Sequence, residues 1–213
     1  DFQILPSQAD RNAIVKEMNA YQQQLAAAAD PALVISKSGS QIPYIGLPVS
    51  SSAYQAYSDI AGKIDSLSVG TTNVTENKED NTLNIIRVLS KEQLPDSVQF
   101  RQIQVAAATK EQAVAKADSI QKALAGGADF EAIAKRYGQT GEKVWFTGQQ
   151  YEHATTMNQD NRQYITAIMN GEVNGVQNLA LSQGNVILQV LDKKAMKTKT
   201  NAAIIKKTID FSK

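Results

Sequence analysis

Apolar residues recur at helical spacing in two well-separated places along the chain. Ile14, Met18, Tyr21 and Leu25 follow one another at intervals of four, three and four, and Ala113, Ala117, Ile120 and Leu124 keep the same intervals. That spacing lines four side chains along one face of an α-helix, so each run predicts an amphipathic helix packed on a core. Just ahead of the second run, FRQIQV (100–105) alternates apolar and polar residues as a half-buried strand does. The opening DFQI puts Gln3 where FRQI puts Gln102.

The two patterns belong to an internal repeat. At a constant offset of 99, residues 3–39 align with 102–138 without a gap, pairing Gln3 with Gln102, Ile4 with Ile103, Leu25 with Leu124, Asp30 with Asp129 and Gly39 with Gly138. Asp10 and Thr109 share an aligned position as N-cap candidates, and Thr109 to Gln112 reads as a capping box. Gly126-Gly127 is placed to end the long helix of the second copy. Asp30 and Asp129 are placed to cap a second, short helix that Gly39 and Gly138 close, with Pro31 at a favoured first position. Farther on the offset drifts. Ile64 and Val69 match Ile168 and Val173 at 104, and LNIIRVLSK (83–91) matches NVILQVLDK (185–193) at 102. Each copy reads strand, helix, helix, a variable stretch, helix, strand, turn, strand. The charged run ENKEDN (76–81) is expected to be a solvated hairpin loop. The reading divides the chain into domains at 1–93 and 94–195, joined at Gln93-Leu-Pro-Asp96, with a tail over 196–213 leading to a segment that is not present.

Composition adds boundaries to this picture. The 213 residues are 42% apolar and 20% charged, the composition of an ordinary globular protein. A net charge of +1 leaves no broad electrostatic footprint for nucleic acid or anionic lipid. No Cys is present, so disulfides, thiolates and cysteine metal sites fall away, and no apolar run is long enough to span a membrane. His153 is the only histidine, and no serine stands in a Gly-x-Ser-x-Gly elbow to form a triad with it. No Gly-rich phosphate loop precedes a helix. No cofactor and no metal site are expected.

The second copy resembles a parvulin-type peptidyl-prolyl isomerase domain over nearly its whole length. That family opens with an Arg-His-Ile-Leu strand, and this chain has Arg101-Gln102-Ile103-Gln104. The family's Gly-Ala-Asp-Phe turn stands here as Gly127 to Phe130, followed by a helix ending at Tyr137-Gly138. Its Met-x-x-x-Phe, ten residues before Gly-Glu, is matched by Met157 and Asn161 ahead of Gly171-Glu172, and its closing Gly-x-His-Ile-Ile by Gly184 to Leu188. The approach LPDSVQFRQI and the two-copy layout are similar to membrane-anchored periplasmic folding factors of the PpiD and SurA type. The resemblance implies an α+β fold of two tandem domains, each a small antiparallel sheet flanked by helices. It also implies a periplasmic location, an inner-membrane anchor outside this segment, and unfolded or newly exported polypeptides as partners.

The departures from the family carry the functional reading. Its two histidines are replaced by Gln102 and Val186, and in the first copy the same positions are Gln3 and Asn84. The pocket phenylalanine becomes Asn161, Met157 survives, and the catalytic loop segment is shortened to GQTGEKVWF (138–146). Turning a prolyl bond meets a barrier of about 20 kcal/mol, and an enzyme must bind the twisted amide better than the planar one. A pair of ring nitrogens can switch between donor and acceptor, whereas Gln102 does not titrate and Val186 offers no hydrogen bond. Gln102 and Gln3 read first as amides satisfying a buried backbone group or facing water, and second as peptide contacts. Met157 reads as core or ligand contact, and Trp145-Phe146 as sheet core or an exposed peptide platform. Three functions stay open. They are a mainly non-catalytic peptide-binding chaperone module, a slow isomerase, and a structural spacer.

Overall fold

The computed structural model describes residues 7–152 and 158–209, the side chains of residues 151 and 152 excepted. The opening segment with Gln3, and the stretch with His153 and Met157, lie outside the described residues.

In chain order the elements are α1 (Gln8–Ala27), α2 (Ala32–Ser38), a 3-10 turn (Ser51–Tyr54), α3 (Ser58–Ser66), β1 (Thr72–Asn77) and β2 (Thr82–Val105). There follow α4 (Lys110–Ala125), α5 (Phe130–Arg136), β3 (Val144–Thr147), α6 (Gly148–Glu152), α7 (Gln159–Asn170), β4 (Val176–Leu181) and β5 (Gly184–Thr208). Among the described residues the strands form an antiparallel sheet in the order β1-β2-β5-β4, with β3 paired to β2, and helices flank it. The fold is α+β.

Two compact units share this chain. Unit 1 comprises residues 1–92 and 198–213, and unit 2 comprises 93–197. This corrects the expected organisation in two ways. Gln93-Leu-Pro-Asp96 is not a linker but part of the unbroken strand β2. Leu94 and Val98 there are buried, so apolar side chains continue the strand across a proline that reads as a breaker. The supposed tail is strand as far as Thr208, and Ala203, Ile205 and Ile209 lie in the core of unit 1 with Ile14, Met18 and Leu25 of α1 and Leu83 and Ile85 of β2.

Local chemistry explains the helix ends. Ser7, rather than Asp10, caps α1: its hydroxyl accepts from the Asp10 N–H at 3.1 Å and the Asp10 carboxylate accepts from the Ser7 N–H at 2.9 Å. Asp10 completes the box from inside the first turn. Thr109 caps α4, accepting from the Gln112 N–H, and Asp129 caps α5, accepting from the Ala132 N–H. Gly39 and Gly138 follow α2 and α5 with φ of +70°, a left-handed turn that a residue with a Cβ adopts at a cost.

In unit 2 the sheet is covered on both faces. Ile103 and Val105 of β2 and Ile187 of β5 pack against Ala117 and Ile120 of α4 and Phe130, Ile133 and Ala134 of α5. The alternate positions of the strands carry Gln102, Gln104 and Val186 to the other face. There α7 buries Ile165, Ile168 and Met169. The ENKEDN run does form the β1–β2 hairpin, but it is not merely solvated, since Glu76 pairs with Arg11 and Asp80 with Lys206.

Candidate functional site

The α7 face of unit 2 gathers the residues that the sequence marks. Asn158 caps α7 by accepting the Asn161 N–H at 2.8 Å, which fixes the first turn of the helix beside β2. Asn161 and Tyr164 are three residues apart and share one helix face. Tyr164 reaches Gln102, its hydroxyl donating to Gln102 Oε1 at 2.5 Å. Burial raises the Tyr164 phenol above its ordinary value, and the bond to Gln102 partly opposes that rise. The Gln102 amide oxygen therefore has a side-chain hydroxyl as a partner.

An aromatic row extends from this pair. The Phe100 ring meets Tyr164 edge-on at 6.2 Å between centroids and Phe146 edge-on at 6.4 Å. Phe146 is half-buried in β3 and supports the row. Trp145, its neighbour, points the other way, is 40% exposed, and has Lys194 Nζ 4.6 Å from its ring centre. The dipeptide thus divides between core and surface.

The first turn of α7 also borders a groove of about 440 Å³. Asn161, Val186, Gln104, Asp160 and Asn185 line it, with the backbone turn from Leu181 to Gly184 at its edge. Val186 is 8% exposed and offers a small apolar wall. Asp160 is the charged residue of the lining, and its carboxylate is already engaged by the Ser182 N–H at 3.1 Å and the Ser182 hydroxyl. Gln139 covers the strand backbone at Gln104: its Oε1 accepts from the Gln104 N–H at 2.8 Å and its Nε2 donates to the Gln104 carbonyl at 2.7 Å. Gly184 fits only as glycine, because a Cβ there would stand 2.5 Å from the Val105 carbonyl oxygen and φ is +138°.

The PPIC-type PPIASE domain family matches residues 83–194, just over half of the chain. The chain belongs to that family. No curated protein and no solved structure matches it. The matched span of this PPIC-type chain contains all of unit 2 up to Lys194 and residues 83–92 of β2 in unit 1. Among the sequence-marked residues, the structure links Gln102 to Phe146 through Tyr164 and Phe100, brings Asn161 and Val186 to one groove, and sets Trp145 apart. In unit 1, Asn84 is fully buried, donating to Asp59 at 3.2 Å and accepting from Lys206. Sequence reasoning missed Tyr164, Asp160, Gln104 and Gln139. The three-residue spacing of Asn161 and Tyr164 was a usable signal for the first, while the others depend on contacts distant in sequence. Among the described residues no helix is long and apolar enough to cross a membrane.

Proposed function

We propose that this PPIC-type domain binds extended polypeptide in the groove beside Gln102 without efficiently isomerising it. In this reading it is a chaperone part of a periplasmic folding factor of the PpiD and SurA type, and unfolded or newly exported polypeptides are its clients. The observation that carries the reading is the Gln102–Tyr164 hydrogen bond. Rotation of a prolyl amide needs groups that stabilise the twisted form more than the planar one. Here the amide oxygen at the family's first histidine position accepts from Tyr164, and the second position is the apolar Val186. No proton can be shared between the two positions, whereas the polar groove walls still match a peptide backbone.

Unit 1 is, in the same proposal, a second and more degenerate copy. Its order of α1, α2, α3, β1 and β2 parallels the order of α4, α5, α7, β4 and β5, and the offsets of 99 to 104 in the sequence follow that correspondence.

Exchange NMR on a set of Xaa-Pro peptides, with and without the protein, tests the function. The expected result is peptide shift changes with no acceleration of cis–trans exchange, and appearance of exchange when Gln102→His is combined with Val186→His. Catalysed exchange by the unaltered chain that falls on Gln102→Ala would overturn the non-catalytic reading. Absence of both shift changes and exchange at millimolar peptide would overturn peptide binding altogether.

A further inference from the structure

Unit 1 contains a strand from the far end of the chain. Residues 198–208 of β5 belong to this unit and β5 neighbours β2 in the sheet. Its other edge is also engaged. The Gln41 N–H donates to the Lys206 carbonyl at 3.0 Å, the Lys206 N–H donates to the Ser40 hydroxyl at 3.0 Å, and that hydroxyl donates to the Ile204 carbonyl at 3.2 Å. Val49 and Thr200 exchange backbone bonds of 3.0 and 2.7 Å. One side of the strand turns Ala203 and Ile205 into the core beneath α1.

The other side presents Lys206, which is 2% exposed. Lysine is almost never so deeply buried without partners. Its Nζ donates to Thr82 Oγ1 at 2.8 Å and to Asn84 Oδ1 at 3.4 Å, lies 2.8 Å from the Asp80 carboxylate and 3.7 Å from that of Asp59, and stands 5.8 Å from the centre of the Tyr57 ring. Two of these partners have counterparts in the groove of unit 2. At the offset of 102, Asn84 aligns with Val186, and at the offset of 104, Tyr57 aligns with Asn161. In the proposed relation between the copies, the ammonium group stands on the face of unit 1 that corresponds to the groove of unit 2.

We infer that the slot between β2 and residues 40–49 in unit 1 is a strand-binding site filled in cis by residues 198–208, with Lys206 as its key, and closed to outside strands while that segment is seated. The occupant is an extended segment of small and branched apolar residues followed by a lysine, Ala202-Ala-Ile-Ile-Lys206. Only the comparison with unit 2 rests on the proposed relation between the copies. The contacts of Lys206 stand without it.

Hydrogen-exchange mass spectrometry on the whole chain tests this. Lys206→Met is expected to speed exchange over 58–66 and 72–92 by about tenfold or more, while 110–136 and 159–190 keep their protection. Asp80→Asn, a milder change at a more exposed partner, is expected to affect the same segments to a lesser degree, and it carries the test if the first variant does not fold. A synthetic peptide of residues 198–209 should restore protection in the Lys206→Met protein. The same peptide with methionine at 206 should not, and neither should alter the unsubstituted chain. Unchanged exchange in both variants would overturn the inference. So would equal loss in both units, or uptake of the peptide by the unsubstituted chain as readily as by the variant. Binding of Xaa-Pro peptides to unit 2 is read separately, so failure of the proposed function and failure of this inference remain distinguishable.

Discussion

At the scale of the residue, the site turns on how one amide and one hydroxyl satisfy each other. Tyr164→Phe removes a half-buried hydrogen bond and leaves the Gln102 oxygen without its donor, at an expected cost of about 1 kcal/mol in urea unfolding near neutral pH. The phenol also has a pH signature. Burial raises it above 10.0, so its contribution to stability is complete below that value and is lost as pH climbs through the raised one. Tyr164→Phe should reduce the alkaline loss of stability but not abolish it, since Tyr54 is raised too, by burial and by Tyr44. Asp80 behaves in the opposite sense. Burial alone would raise its carboxyl, but hydrogen bonds from Lys206 and Thr82 and the charge of Lys206 outweigh that and hold it below 3.8. Its contribution is present above 3.8 and lost as pH falls through the lowered value. In acid titrations of unfolding midpoints, Asp80→Asn should therefore lose less stability on acidification than the unsubstituted chain. Parallel curves would contradict the assignment.

At the scale of the element, α7 is positioned by its two ends. Asn158 holds the first turn, and at the other end Gly171 lets the chain leave against β5. A Cβ on Gly171 would meet Gln177 Nε2 at 2.5 Å, Val190 Cγ2 at 2.7 Å and the Ala167 carbonyl at 2.8 Å. Gln177 also donates to that carbonyl at 2.8 Å, so the clash falls on a bonded side chain and a buried valine together. Its backbone angle is ordinary, with φ of −61°, and the penalty is purely one of space. Gly171→Ala is expected to cost about 1–3 kcal/mol and to loosen the groove that α7 lines. Calorimetry together with peptide titration would measure both, and an unshifted Tm would show that the α7 end is more pliant than its packing implies.

At the scale of the whole molecule, the two units differ in what they need from the chain. Unit 2 is one continuous stretch, 93–197, whereas unit 1 joins residues near the start to a strand beyond 198. Closing so long a loop delays the contacts that reward it. In pulsed hydrogen exchange during refolding, α4, α5 and α7 should gain protection before α1 and α3. Simultaneous protection of all five helices would mean that unit 1 reaches a protected state without its last strand.

The sequence by itself determined the main helices and the caps Thr109 and Asp129, because these depend on neighbours within a few residues, and its ordered motifs carried the family resemblance and with it the α+β class. Spacing placed Ile14, Met18 and Leu25 on one face, and Asp129 and Gly138 marked where a helix starts and stops. The same local signals misplaced the cap of α1 by three residues, since Ser7 and Asp10 are both good cap residues and only geometry chooses between them. Tertiary structure alone decided the rest. Pro95 reads as a breaker, yet β2 runs through it, because partners across the sheet outweigh one missing donor. Lys206 lies in the stretch that reads as a tail, yet Asp80, Thr82, Asn84 and Asp59 surround it, and each lies more than a hundred residues away along the chain. Periodicity reports which face of an element is buried, but not which distant element buries it.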